Sequence, residues 1–163
     1  MTTGTDIVIR EEPDLSPEEL WGFYVENRCC ETRYDSSTAT SVLKRSSVIV
    51  TAREKGRLVG VARALSDGLS AHIMELAVAV SHQGPGCEWR CGALVEDDMC
   101  RVGEALATTM VELLLAQGVD FIDVVVCGSG IGDDGETPVF KNAGFIQNTG
   151  HAVMYVDKRP PME

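Results

Sequence analysis

Between His72 and Val80 nearly every side chain is apolar, and no other stretch constrains the fold as strongly. A strand that alternates apolar and polar residues needs one covered face. A strand apolar on both faces must lie inside a sheet with a layer packed on each side. The segments around it supply those layers. Asp6–Arg10 alternates as an edge strand, and Ser16 is a natural N-cap for a helix opening at Pro17. Glu18 and Glu19 sit where the helix dipole favours negative charge, and Leu20, Trp21, Tyr24 and Val25 recur at helical spacing. Ser36–Lys44 reads as a short second helix. Ser47–Arg53 is a β-branched strand, Glu54–Arg57 a tight turn, and Leu58–Leu65 the return strand of a hairpin.

After the central strand the pattern dissolves. Gly84, Pro85, Gly86 and Gly92 punctuate Ser81–Cys100, and Glu96, Asp97 and Asp98 add a charge run, so a long loop is expected. Gly103–Gln117 then places Leu106, Met110, Leu113 and Leu114 at three- and four-residue steps, and Gly118 stops that helix. Val119–Cys127 reads as a buried strand, Gly128–Gly135 as a solvated loop, Pro138–Asn142 as a short helix and Ala152–Asp157 as a last strand. This order predicts an α/β (α+β) fold with a mixed, mostly antiparallel central sheet and helices on both faces. At 163 residues a single domain over 1–163 is expected, with an inserted loop at about 84–99.

Charge narrows the partners. The chain carries 25 acidic against 14 basic residues, a net charge of -11 that repels phosphate backbones and attracts small cations. Nucleic acid is excluded as a partner on this ground, and a small-molecule amine is favoured. No apolar run reaches bilayer length, so no membrane partner is expected. Met1–Arg10 lacks the basic-then-apolar pattern of a secretory signal. A cytoplasmic location and reduced thiols follow as expectations for the six cysteines, with Cys29 and Cys30 adjacent. His82, Cys87, Cys91 and Cys100 are residue types that zinc accepts, but their spacing matches no standard knuckle, and no metal is expected.

Chemistry points to the junction of the central strand and the long helix. Cys100-Arg101-Val102-Gly103-Glu104-Ala105 opens that helix, where backbone N–H groups and the dipole make a seat for a pyrophosphate. Three pieces in order, Leu76-Ala77-Val78, Cys100-x-x-Gly103-x-Ala105 and Phe140-Lys141-Asn142-Ala143-Gly144-Phe145, give the chain a pattern that resembles the GNAT superfamily of N-acetyltransferases over nearly its whole length. The resemblance implies acetyl-CoA as co-substrate. It implies that the backbone of Leu76, Ala77 and Val78 pairs with the pantetheine and that Val102, Gly103, Glu104 and Ala105 hold the pyrophosphate. Arg101 and Lys141 are candidates to neutralise the phosphates, and Phe140 lies in the closing segment. The implied reaction is acetyl transfer to a primary amine by direct attack in a ternary complex. A homodimer is compatible with this reading.

The chain departs from the family pattern in three places. Gln83-Gly84-Pro85-Gly86 also resembles the start of the turn, but Cys87-Glu88-Trp89-Arg90-Cys91 follows instead of a helix. The later turn is preferred, with the earlier one as the alternative. Cys100 stands where the turn carries Gln or Arg. Phe140 stands where a tyrosine often protonates the departing thiolate, so Tyr155, water or unassisted departure must serve. Glu75, just before the coenzyme strand, is the candidate base, while His72 faces the other side of an ideal strand. The competing reading makes Glu75 a structural ion-pair residue. For the whole chain, the competing readings are a non-catalytic acyl-CoA-binding or regulatory protein of the same fold, and a metal-binding module centred on the cysteine loop.

Overall fold

The computed structural model describes residues 6–31, 33–87, 92, 95–126, 138–150, 152, 154 and 156. Five strands form one sheet in the order β1-β2-β3-β4-β5: β1 Ile7–Glu11, β2 Val48–Glu54, β3 Arg57–Ser66, β4 Ser70–Val78 and β5 Phe121–Val124. The first four pair antiparallel in sequence order, and β5 joins β4 in parallel. The mostly antiparallel mixed sheet and the interior position expected for the central strand are therefore present.

Two helices, α1 (Pro17–Glu26) and α2 (Ser36–Arg45), lie against one face, and α3 (Val102–Ala116) lies against the other. A fourth, α4 (Pro138–Asn142), packs on α3. The Ser16 hydroxyl accepts the Glu19 N–H at the start of α1, as the sequence predicts. The buried side chains of α1 are Leu20, Phe23 and Tyr24, while Val25 is exposed. Asp35, not read as a cap from the sequence, accepts the Ser37 N–H and starts α2. In α3, Leu106, Met110 and Leu114 are fully buried against Val48, Val50, Ala52, Ala62 and Ala64 of the sheet. Small residues there let the helix approach closely: a Cβ on Gly60 would lie 2.9 Å from Leu106 Cδ1. The β2–β3 turn holds Lys55 and Gly56 at φ 49° and 85°, which matches the right-handed twist of a hairpin.

One expectation changes. β5 spans only Phe121–Val124, and Phe121 is 59% exposed, so it is not the buried strand its composition suggested. The predicted Gly128–Gly135 loop lies outside the described residues, as does half of the last predicted strand, Tyr155 included.

One polar cluster ties the front of the sheet together. Arg53 on β2 donates to Glu12 at 2.9 and 3.0 Å and to Glu19 of α1 at 2.7 Å on two nitrogens, and Thr51 donates to Glu12 at 2.5 Å. Glu12 is buried, which pushes its carboxyl up, but hydrogen bonds from Arg53, Thr51 and Arg10 outweigh burial and hold it at about 2 against an ordinary 4.5. A depressed acid contributes stability that is fully present above its unfolded value and is lost as pH falls through its folded one. Arg53→Ala should therefore lower unfolding free energy by about 3 kcal/mol at neutral pH. The thermal midpoint difference between the wild type and Glu12→Gln should shrink as pH drops from about 4.5 toward about 2, and a difference that stays constant with pH would refute the assignment.

Candidate active site

The geometry of the site begins with one extra residue. The β3–β4 register runs Arg63↔Glu75 and then Ala64↔Ile73, so Met74 is a bulge in β4. Directly opposed residues share a face of the sheet. Arg63 and Leu65, two apart on β3, face the same way, and their partners Glu75 and His72 do too. His72 thus lies on the face of Glu75, toward α1 and α2, and not on the opposite one. An ideal-strand reading could not see this, because a bulge shifts the two-residue period by one.

Glu75 does not stand open. Its Oε2 accepts from the Tyr24 hydroxyl of α1 at 2.7 Å and from Arg63 Nε. Arg63 also donates to Ser46 Oγ at 3.0 Å, at the end of α2. Burial and the adjoining Glu75 carboxylate push the Tyr24 hydroxyl far up, so it stays a donor. The Glu75 carboxylate is thus held as one member of an arginine ion pair. Tyr24, expected to be a packing residue, is one of the two donors that orient this group.

His72 is placed differently. Its Nδ1 lies 2.5 Å from Asp123 Oδ1 on β5. An ionised carboxylate only accepts, so Nδ1 carries the hydrogen and Nε2 is the basic nitrogen. Both residues line a cleft of about 400 Å³ with Leu65, Ser66, Asp67, Ser70, Ala71 and Phe121. The β4–β5 pairing ends at Ile73↔Val124, one step past His72↔Asp123, whereas β4 continues to Val78. The two strands therefore open a V, and the His72–Asp123 pair sits at its crotch.

Inside the V, Ala79 N–H donates to Val59 of β3, and by alternation Val78 and Leu76 turn their main-chain groups away from β3. The Val78 groups already have partners. Its N–H donates to Gly92 O at 3.1 Å, and its carbonyl accepts from Gln83 Nε2 at 3.0 Å. Gly92 in turn donates to Asn27 O at the end of α1 at 2.8 Å. No side chain fits at Gly92, since a Cβ would meet Val78 O and Asn27 Cβ at 2.9 Å.

Helix α3 opens at Val102, so the later of the two candidate turns is the one that leads into it. Its first amides are not free. Gly103 N–H donates to Asp98 Oδ1 at 2.7 Å and Glu104 N–H to Asp98 Oδ2 at 2.8 Å. Desolvation pushes the Asp98 carboxyl up even though both amides pull it down. Ala105 N–H bonds within the helix to Arg101 O, and the Val102 side chain is buried in the core. Arg101 is exposed and paired with Glu104, which also accepts from Asn142 of α4 at 3.0 Å. Phe140 packs edge-on against Phe145 with centroids 5.5 Å apart, and Lys141 lies exposed beside it. A pair of amides that grips a carboxylate on both oxygens fits an anion, and here the anion is the chain's own Asp98. Sequence reading registered Asp98 only as part of a charge run, because nothing local says that it folds back onto an amide five residues on. Among the described residues no group of three or more His, Cys, Asp or Glu could hold a metal, and no helix is long and apolar enough to cross a membrane. Cys91 of the proposed zinc set lies outside the described residues.

By sequence the chain matches no family model and no curated protein. Its shape has many counterparts. A GNAT-family acetyltransferase from Streptococcus pneumoniae superposes with a TM-score of 0.62 at 15% identity, covering 94% of this chain and 100% of the other. An aminoglycoside acetyltransferase from an uncultured soil metagenomic sample, solved with sisomicin, gives 0.64 at 14% identity over 93% and 97%. A ribosomal-protein-alanine N-acetyltransferase from Brucella melitensis gives 0.59 at 16% identity over 91% and 99%. The chain has the GNAT fold. These counterparts act on unlike acceptors, a sugar-based antibiotic and a protein among them, so the fold leaves the acceptor open.

The Arg63–Glu75 pair is nearly buried, with side-chain exposures of 12% and 14%. Arg63→Met should cost about 3 kcal/mol in urea unfolding, because it strands the Glu75 carboxylate. Adding Glu75→Leu should recover a large part of that loss. Additive losses in the double variant would show that the two groups are not coupled.

Proposed function

We propose that this chain is an acetyl-CoA-dependent N-acetyltransferase that acts on a small primary amine by direct attack in a ternary complex. The observation that carries this reading is the V between β4 and β5 beside the opening of α3, in a fold shared with acetyltransferases. Leu76 and Val78 would align the pantetheine along the V, and the Gly103 and Glu104 amides would hold the diphosphate once Asp98 yields. When bound, acetyl-CoA supplies a thioester whose carbonyl carbon the neutral amine attacks; a C–N bond forms, the C–S bond breaks and the thiol departs.

The chain's task is to make the amine neutral at that point. His72 serves this better than Glu75. It lines the cleft at the starts of β4 and β5, and Asp123 at its Nδ1 fixes the ring, so that Nε2 would be the atom to take the ammonium proton. Glu75, held by Arg63 and Tyr24, is neutralised within its ion pair, and the negative field that draws an amine is that of the surface as a whole. That field agrees with the net charge of -11. Phe140 cannot donate a proton, so Tyr155, water or unassisted departure serves the leaving thiolate.

A second reading, a non-catalytic acyl-CoA-binding protein of the same fold, is favoured by Phe140 and by the Asp98 carboxylate on the helix amides. Calorimetry with acetyl-CoA followed by thiol release against a panel of primary amines separates the two. We expect binding and release with at least one amine. His72→Gln should lower kcat about 10²- to 10³-fold with acetyl-CoA affinity unchanged, and should remove a limb of the pH–rate profile that Glu75→Gln retains. Binding without release establishes the second reading. A Glu75→Gln variant that loses the limb while His72→Gln keeps it returns the base to Glu75.

A further inference from the structure

Among the described residues of the stretch after β4, Gln83, Gly92 and Asp98 supply internal partners to both halves of the proposed coenzyme seat. At the diphosphate end, Asp98 places one oxygen on each of the Gly103 and Glu104 amides. At the pantetheine end, Gly92 O and Gln83 Nε2 take the two main-chain groups of Val78. The same segment is knit to itself. Gly86 N–H donates to Asp97 Oδ2 at 2.8 Å, Gly84 N–H to Asp97 O at 3.0 Å, and Glu96 N–H to Gln83 Oε1 at 3.2 Å. The packing is tight: a Cβ on Gly84 would meet Asp97 Oδ2 at 2.1 Å, and one on Gly103 would meet Val95 at 3.0 Å and Asp98 at 3.1 Å.

We infer that this segment is a tethered competitor of the coenzyme, with Asp98 as a built-in stand-in for its diphosphate and Gly92 and Gln83 as stand-ins for its pantetheine amides. The inference rests on the reading that the V accepts acetyl-CoA. Two features make the occupant displaceable. The carboxylate is desolvated where it sits. Arg101, which joins Asp98 to α3, holds the left-handed φ of 57°, a conformation unfavourable for a residue with a side chain. A diphosphate carries more charge than one carboxylate and engages the same amides, and the tethered group has the advantage of high local concentration. Affinity for the coenzyme is then set by the difference between the two.

Isothermal titration of the full chain with acetyl-CoA, and separately with inorganic pyrophosphate, tests this on wild type, Asp98→Asn and Asp98→Ala. Removing the competitor should tighten both ligands, by about tenfold for Asp98→Ala and by less for Asp98→Asn, which keeps one acceptor on the amides. The thermal midpoint of the unliganded variants should fall, since α3 loses its cap. Wild-type binding that is unchanged or weakened in both variants overturns the inference and leaves the coenzyme reading intact. A wild type that fails to bind while Asp98→Ala binds supports it in its strongest form. If no form binds either ligand, both readings fall. Should Asp98→Ala unfold, the Asp98→Asn titration decides by the same criteria.

Discussion

Met74 is the residue on which the arrangement turns. As the extra member of β4 opposite β3, it moves Glu75 onto the face already occupied by His72. Without that shift Glu75 would point toward α3 and the apolar layer of Leu106 and Met110, where a carboxylate has no partner. With it, Glu75 meets Arg63 and Tyr24, and His72 meets Asp123. One backbone irregularity thus gathers the polar groups of the central strand on the α1–α2 side and leaves the α3 side wholly apolar.

The two polar pairs on that side have opposite characters. Arg63 and Glu75 are nearly dry, and each needs the other, because a buried charge without its counter-ion is far costlier than the pair. His72 and Asp123 are partly open, at 36% and 53% side-chain exposure. They line the cleft at the starts of β4 and β5.

Splaying of β4 from β5 creates main-chain groups that need partners, and such groups rarely stay bare. In many folds water or ligand would take them. Here Gly92 and Gln83, from the stretch after β4, take those of Val78. The acidic run that the sequence places in a long loop includes a carboxylate that caps the main helix.

Much of the architecture was legible from local pattern alone. The Ser16 cap, the helix through Leu106 and Met110, the hairpin turn at Lys55-Gly56 and the doubly apolar central strand are each decided within a few residues, by periodicity and by which side chains satisfy nearby backbone groups. Other features were settled only by the tertiary structure. A bulge depends on how β4 registers against β3; the partners of Glu75 come from 12 and 51 residues away; Asp123 reaches His72 only because β5 lies parallel beside β4. Asp98 is close in sequence to the amides it caps, but its reach needs the left-handed turn at Arg101. Hydrophobic spacing specifies which face of an element is buried, whereas the pairing of polar groups depends on long-range register, which leaves no local trace in the chain.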